Sequence, residues 1–150
     1  WIAQSLPIDP WQALRAKLRM HLLITELPLV ACAVCVAAVS GAALPEIVMM
    51  LVTPMVYVVL SATFGLFMGL KRPNLNWTSE VAPIKQGLAV FLSMFVGWLV
   101  AVVLGFLYYA LMARVGAVAF LLAVTALFAV LALVLVRWLK TSGAKIYQHL

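Results

Sequence analysis

Long uninterrupted apolar stretches constrain this chain more than any other feature. Residues Ile47–Leu70 are 24 consecutive positions without a charged side chain. As a helix they would be about 36 Å long, against a bilayer hydrocarbon core of about 30 Å. Three further apolar blocks cover Leu22–Leu44, Gly87–Met112 and Val115–Val136. None alternates apolar and polar positions as a barrel strand does, so the sequence predicts an all-α membrane protein with four transmembrane helices.

The composition supports this class. Of the 150 residues 67% are hydrophobic and 9% are charged, whereas soluble domains average about 45–50% and about 25%. Such a chain has too few polar side chains to cover a soluble globule, and it is too hydrophobic to be disordered. Four crossings also use most of its length, which leaves no room for a separate catalytic domain.

The connections between the blocks predict two helical hairpins. Residues Ala43–Glu46 and Ala113–Arg114 allow only tight turns, whereas Lys71–Gln86 is longer and polar. The predicted organisation is a cytoplasmic amphipathic segment at 1–21, a first transmembrane hairpin at 22–70, a cytoplasmic loop at 71–86, a second hairpin at 87–139 and a cytoplasmic tail at 140–150.

The positions of the basic residues predict the orientation in the membrane. The net charge of +6 comes from ten Lys and Arg against four acids, and Arg114 is the one base on its side. The other nine share one side: Arg15, Lys17, Arg19, Lys71, Arg72, Lys85, Arg137, Lys140 and Lys145. By the positive-inside rule that side faces the cytoplasm. We therefore expect an integral membrane protein with both termini in the cytoplasm, and no nucleic-acid partner.

The first 21 residues predict a short helix. Asp9 followed by Pro10 is a typical helix start. Trp11, Leu14 and Leu18 then follow at helical spacing among basic residues. The pattern indicates an amphipathic helix on the inner membrane face or against a cytoplasmic partner. The alternative is a basic stretch that merely anchors the first span.

Motifs for intrinsic catalysis are missing from the sequence. It contains no phosphate-binding loop, zinc-protease motif or hydrolase elbow. The two histidines, His21 and His149, are far apart, so we expect no metal site and no cofactor. Cys32 and Cys35 form a C-x-x-C within an apolar block without a neighbouring base, and we interpret this spacing as incidental.

Glu26 is the only acid inside a predicted span. A charge at the bilayer centre costs about 2.5–3.5 kcal/mol on insertion scales, and such residues are usually functional. Because Glu26 is close to the inner boundary, the favoured interpretation is an ion pair with Lys71 or Arg137. The alternative is a role in transport.

Small residues recur every four positions in the predicted helices, for example Ser61, Gly65 and Gly69 in the second and Ser93, Gly97, Ala101 and Gly105 in the third. Such faces let helix backbones approach closely in a membrane. The spacing supports packing without indicating a particular function.

The segment from Leu70 to Gln86 is the most patterned part of the chain, and its key residues are Leu70, Lys71, Pro73, Trp77, Thr78, Glu80, Ile84, Lys85 and Gln86. It resembles a segment between two transmembrane hairpins in permease subunits of bacterial type-2 ATP-binding-cassette (ABC) exporters, close to L-K-x-P-x-x-x-W-T-x-E-x-x-x-I-K-Q. The stretches Ser5–Ile8 and Ala16–Leu18 agree as well, as do Gly143, Lys145, Ile146, Tyr147 and Leu150. The resemblance implies the C-terminal portion of a longer permease, located in a bacterial cytoplasmic membrane.

In that family the permease is not an enzyme, since a separate ATP-binding-cassette ATPase subunit hydrolyses ATP. The resemblance thus implies two partners besides the lipid bilayer: this ATPase, and a second permease half or the remainder of the permease. The candidate docking residues are Trp11, Arg15, Lys71, Pro73, Trp77, Thr78, Glu80, Lys85 and Gln86. Two alternatives are a self-contained proton-coupled four-helix exporter that uses Glu26, and a membrane scaffold subunit that transports nothing.

Overall fold

A computed structural model describes residues 9–71 and 88–148, apart from the side chains of 88, 89, 112, 113 and 148. The helices are α1 (Pro10–Ser40), α2 (Leu44–Lys71), α3 (Leu88–Val115) and α4 (Ala117–Trp138), followed by a π-helical turn (Leu139–Gly143) and α5 (Ala144–Gln148). α1 to α4 are all long and apolar enough to cross a membrane. The prediction of an all-helical chain with four such helices is therefore confirmed.

The first helix is longer than predicted. α1 runs without interruption from Pro10 to Ser40, so the predicted amphipathic segment, as far as it is described, and the predicted first span up to Ser40 belong to one continuous helix. Gln12 to Leu23 contains mostly good helix formers and neither Gly nor Pro, and nothing there ends a helix once Pro10 has started it. The basic stretch is the first three turns of a helix that continues into the apolar block.

Glycine decides where the first connection lies. α1 ends at Ser40 because Gly41 adopts a left-handed conformation with φ of 60°, which glycine reaches without strain. α2 then begins at Leu44, where the Glu46 carboxylate accepts a hydrogen bond from the Ala43 amide at 3.3 Å. This is the glutamate half of a capping box. The turn therefore precedes the predicted one at Ala43–Glu46.

A single residue connects α3 to α4. Gly116, with φ of 74°, lies between Val115 and Ala117. The predicted turn at Ala113–Arg114 lies instead inside the last turn of α3. Nearby, the rings of Tyr108 and Phe120 pack edge to face at 5.4 Å, and this contact ties the end of α3 to the beginning of α4.

α2 is the central helix of the bundle, and it packs most extensively against α4 and then against α1. Between α2 and α4 the hydroxyls of Thr53 and Thr125 lie 2.8 Å apart. Thr125 already donates to the Leu121 carbonyl at 2.7 Å, so Thr53 is the donor in the interhelical bond. On the same interface the Tyr57 and Phe128 rings pack at a tilt of 44°, with their centroids 5.3 Å apart.

α3 packs least. The most apolar window of its described part, within Val90–Leu111, has no buried residue. It contacts α2 at Gly97, where a Cβ atom would lie 3.1 Å from the Tyr57 hydroxyl. A side chain at position 97 would therefore require the Tyr57 side chain to shift.

Candidate functional site

The start of α1, the end of α2 and the end of α4 meet in one cluster of leucines. Leu14 is 2% exposed, Leu139 is fully buried and Leu70 is 7% exposed. We call these three the basic-end cluster, because seven of the eight Lys and Arg residues within the described ranges belong to the helix segments at this end. Around the cluster pack Trp11, Leu66, Trp138 and Tyr147.

Gly143 completes the cluster. A Cβ atom at this position would lie 3.3 Å from Leu70 Cδ1, 3.3 Å from Leu139 Cδ2 and 3.5 Å from the Trp138 ring. A larger residue at this position would require Leu70 or Leu139 to shift by a few tenths of an ångström. Three separate stretches of the chain are thus fixed to one another at a single point.

This packing changes the interpretation of the N-terminal stretch. Trp11 and Leu14, which the sequence assigned to a membrane surface or a partner, pack against α2 and the C-terminal helices of the same chain. Trp11 is therefore partly buried against its own chain, and its role in docking a partner stays a prediction. Arg15, also a candidate, is exposed on the same helix and remains accessible.

Two lysines at this end lie over aromatic rings. The Lys71 ammonium is 5.1 Å from the centroid of the Phe67 ring, and the Lys17 ammonium is 5.4 Å from that of Tyr147. Both distances are within the range of cation–π attraction. The rings hold the ammonium groups in place and leave their positive charge uncompensated.

Glu26 is not near Lys71, one of the two bases predicted to pair with it. It lies in a shallow groove whose other lining residues, Leu22, Leu23, Leu27 and Val30, all belong to α1. Leu70 packs at the level of Leu14, and Glu26 is twelve residues further along α1, about 18 Å away. The neighbouring Lys71 is directed to Phe67 instead.

The other predicted docking residues, Pro73, Trp77, Thr78, Glu80, Lys85 and Gln86, lie outside the described residues. Lys71, the last described residue before them, is exposed. It directly follows Leu70, so the patterned segment begins at the basic-end cluster itself.

A cavity of about 500 Å³ lies between α1, α2 and α3. α1 lines it with Lys17, Leu18 and His21, all close to the basic end. Tyr57 and the small residues Ser61 and Gly65 line it from α2, and Ser93, Met94, Gly97 and Trp98 line it from α3. Its volume is in the range of small-molecule sites, about 300–1,000 Å³.

A second, more apolar cavity of about 370 Å³ lies between α2, α3 and α4. The two cavities share Tyr57, Ser61, Ser93 and Gly97, and so flank the narrow contact between α2 and α3. The four-residue spacing of small residues in the sequence marks these positions. The spacing does not predict a cavity on each side of the contact between α2 and α3, because both cavities depend on the Tyr57 side chain extending from α2 to α3.

Comparisons of the chain with protein-family models, with curated proteins and with solved structures give no match. The resemblance of the Leu70–Gln86 pattern to ABC permeases stays a prediction.

Proposed function

We propose that this chain is the membrane-spanning part of an ATP-driven transporter of the ABC type. A separate ATPase subunit would supply the energy, and substrate would move by alternating access. The basic end faces the cytoplasm in this proposal, as the positive-inside rule favours. The helices are arranged as two hairpins, and a second permease half or the remainder of a longer permease completes the path.

One observation carries the proposal. The patterned segment that resembles the ABC permease motif begins at Leu70, and Leu70 is buried between Leu14 and Leu139. A partner that pulls on this segment would therefore act on the beginning of α1 and the end of α4 at once. Such a junction suits a subunit that converts ATP-driven motion on a partner into helix movement.

The loose packing of α3 supports a transport path that further helices complete. Val102 is 66% exposed and Phe106 is 73% exposed, and α3 packs less extensively against the other helices than α1, α2 and α4 do. In a bilayer, association between helices depends on close packing rather than on hydrophobic burial. The open side of α3 is therefore the place for the rest of a permease.

The proposal is tested by purifying the tagged chain from its native membranes and photolabelling the preparation with 8-azido-ATP. We expect a labelled ATPase to co-purify. The variant Trp77→Ala/Glu80→Gln should lose the ATPase. The matched variant Tyr109→Ala/Glu46→Gln, which changes an aromatic residue and an acid at the opposite end of the helices, should retain it. Tyr109 is 83% exposed, so its removal should leave the fold intact.

Two outcomes contradict the proposal. A stable preparation without any nucleotide-binding subunit would favour the scaffold or the proton-coupled exporter. Equal ATPase recovery with both double variants would show that Trp77 and Glu80 do not dock the ATPase.

A further inference from the structure

The cavity between α1, α2 and α3 has a positively charged mouth. Lys17 and His21 are four residues apart on α1, so they lie on one face of the helix, and both line the cavity. Within the described residues the carboxylates are Asp9, Glu26 and Glu46, and none of them lines it. An anionic group at the mouth would meet one fixed cation and one imidazole, and no described carboxylate lines the cavity to oppose it.

The Lys17 ammonium is held at this mouth. It lies 5.4 Å from the centroid of the Tyr147 ring, and this contact restrains the side chain without neutralising it. A phosphate oxygen can therefore accept hydrogen bonds from Lys17 at little further cost in side-chain entropy.

Beyond the mouth the cavity continues between α2 and α3. From Leu66 to Tyr57, both of which line it, α2 rises about 13 Å. The walls here include Gly65 and Gly97, with hydroxyls only at Ser61, Ser93 and Tyr57. A narrow slot whose walls include such small residues fits a flexible hydrocarbon chain.

The slot opens sideways to the membrane. Its α3 wall carries Met94 and Trp98, which are 62% and 71% exposed. A lipid can therefore enter from the bilayer without leaving it. A small soluble anion has no hydrocarbon chain that could fill the slot.

We propose that this cavity binds an anionic phospholipid from the leaflet at the basic end. Its phosphate lies at Lys17 and His21, and one acyl chain lies between α2 and α3. Basic pockets between transmembrane helices bind anionic headgroups in this way. The site is independent of the proposed function, since lipid binding here needs no ATPase.

The test uses the full chain in nanodiscs of phosphatidylcholine and phosphatidylglycerol with identical acyl chains, so that only the headgroup differs. Native mass spectrometry then measures which lipid remains bound after transfer to detergent. We expect phosphatidylglycerol to be retained preferentially. Lys17→Gln should weaken the retention of phosphatidylglycerol about fivefold, because one base near a membrane surface contributes about 1 kcal/mol. Lys17→Arg keeps the positive charge and should retain phosphatidylglycerol as the unmodified chain does. Arg19→Gln, an exposed base outside the cavity, should have no effect.

A second pair of variants tests the slot. Gly65 lines the cavity and Gly69 does not, and a Cβ atom at either position meets nothing within 4 Å. Gly65→Leu should fill the slot and abolish retention of phosphatidylglycerol, whereas Gly69→Leu should preserve it.

Three results would overturn the proposal: equal retention of the two lipids, equal loss with Gly65→Leu and Gly69→Leu, or displacement of phosphatidylglycerol by millimolar glycerol 3-phosphate. The last would identify a site for free anions. Because the ATPase plays no part, failure here leaves the photolabelling result on the proposed function unaffected.

Discussion

Replacing Gly143 by alanine should destabilise the basic-end cluster. The added methyl group would lie 3.3 Å from terminal carbons of both Leu70 and Leu139, closer than an ordinary van der Waals contact. Leu139 is fully buried and Leu70 nearly so. Neither side chain can turn aside without displacing the aromatic rings around it.

The sign of the effect depends on two opposing terms. An extra methyl group in a well-packed core costs about 1–3 kcal/mol, whereas Gly→Ala within a helix is favourable by about 0.5–1 kcal/mol. We therefore expect a net loss of about 1 kcal/mol in the free energy of unfolding. Gly69→Ala is the matched control, since its methyl group meets nothing within 4 Å and only the favourable term remains.

Unfolding by SDS in mixed micelles, followed by tryptophan fluorescence, measures both variants. Trp11 and Trp138 pack on the cluster, so their emission reports its opening. Shortening one neighbour, as in Gly143→Ala/Leu70→Val, should recover part of the loss. If Gly143→Ala proved as stable as Gly69→Ala, the tight packing described for the three helix ends would be refuted.

Three further predictions concern the rest of the bundle. A double-mutant cycle of Thr53→Val and Thr125→Val, measured by the same unfolding assay, should give a coupling energy of about 0.6 kcal/mol and at most about 1.7; additive losses would mean that the interhelical bond contributes nothing. With both natural cysteines replaced by serine, a membrane-impermeant maleimide should label Ala43→Cys from outside intact cells and Lys140→Cys only after lysis, and the reverse pattern would invert the proposed orientation. Glu26→Gln should leave the activity of the co-purified ATPase within about twofold, because the described residues that line its groove all belong to α1; a larger loss of ATPase activity would favour the alternative in which Glu26 takes part in transport.

The sequence was sufficient to predict the four long helices, because each apolar block is long and nearly free of charge. It predicted the residues at which the helices end less reliably. Gly41 and Gly116 terminate helices through positive φ angles, whereas the predicted turns were placed at nearby proline or charged residues. The absence of a break at residue 21 could have been inferred from the helix formers there, but the change from basic to apolar composition suggested a boundary.

Contacts between distant parts of the chain could not be predicted. The spacing of Trp11 and Leu14 indicated an apolar face but not what covers it, since membrane, partner and the chain's own α2 are equally apolar. Glu26 illustrates the same limit. Its depth in the helix followed from counting residues, whereas its separation from Lys71 depends on which turns of α1 and α2 lie side by side.

The π-helical turn at Leu139–Gly143 sets the rotational register of everything after it. Such a turn accommodates one more residue than an α-helical turn, and each α-helical residue advances by about 100°. If these five residues wound as continuous α-helix with none removed, Tyr147 would be rotated by about 100° away from Lys17. The contact between Lys17 and Tyr147 therefore depends on the π-helical winding of this turn as much as on the residues that make the contact.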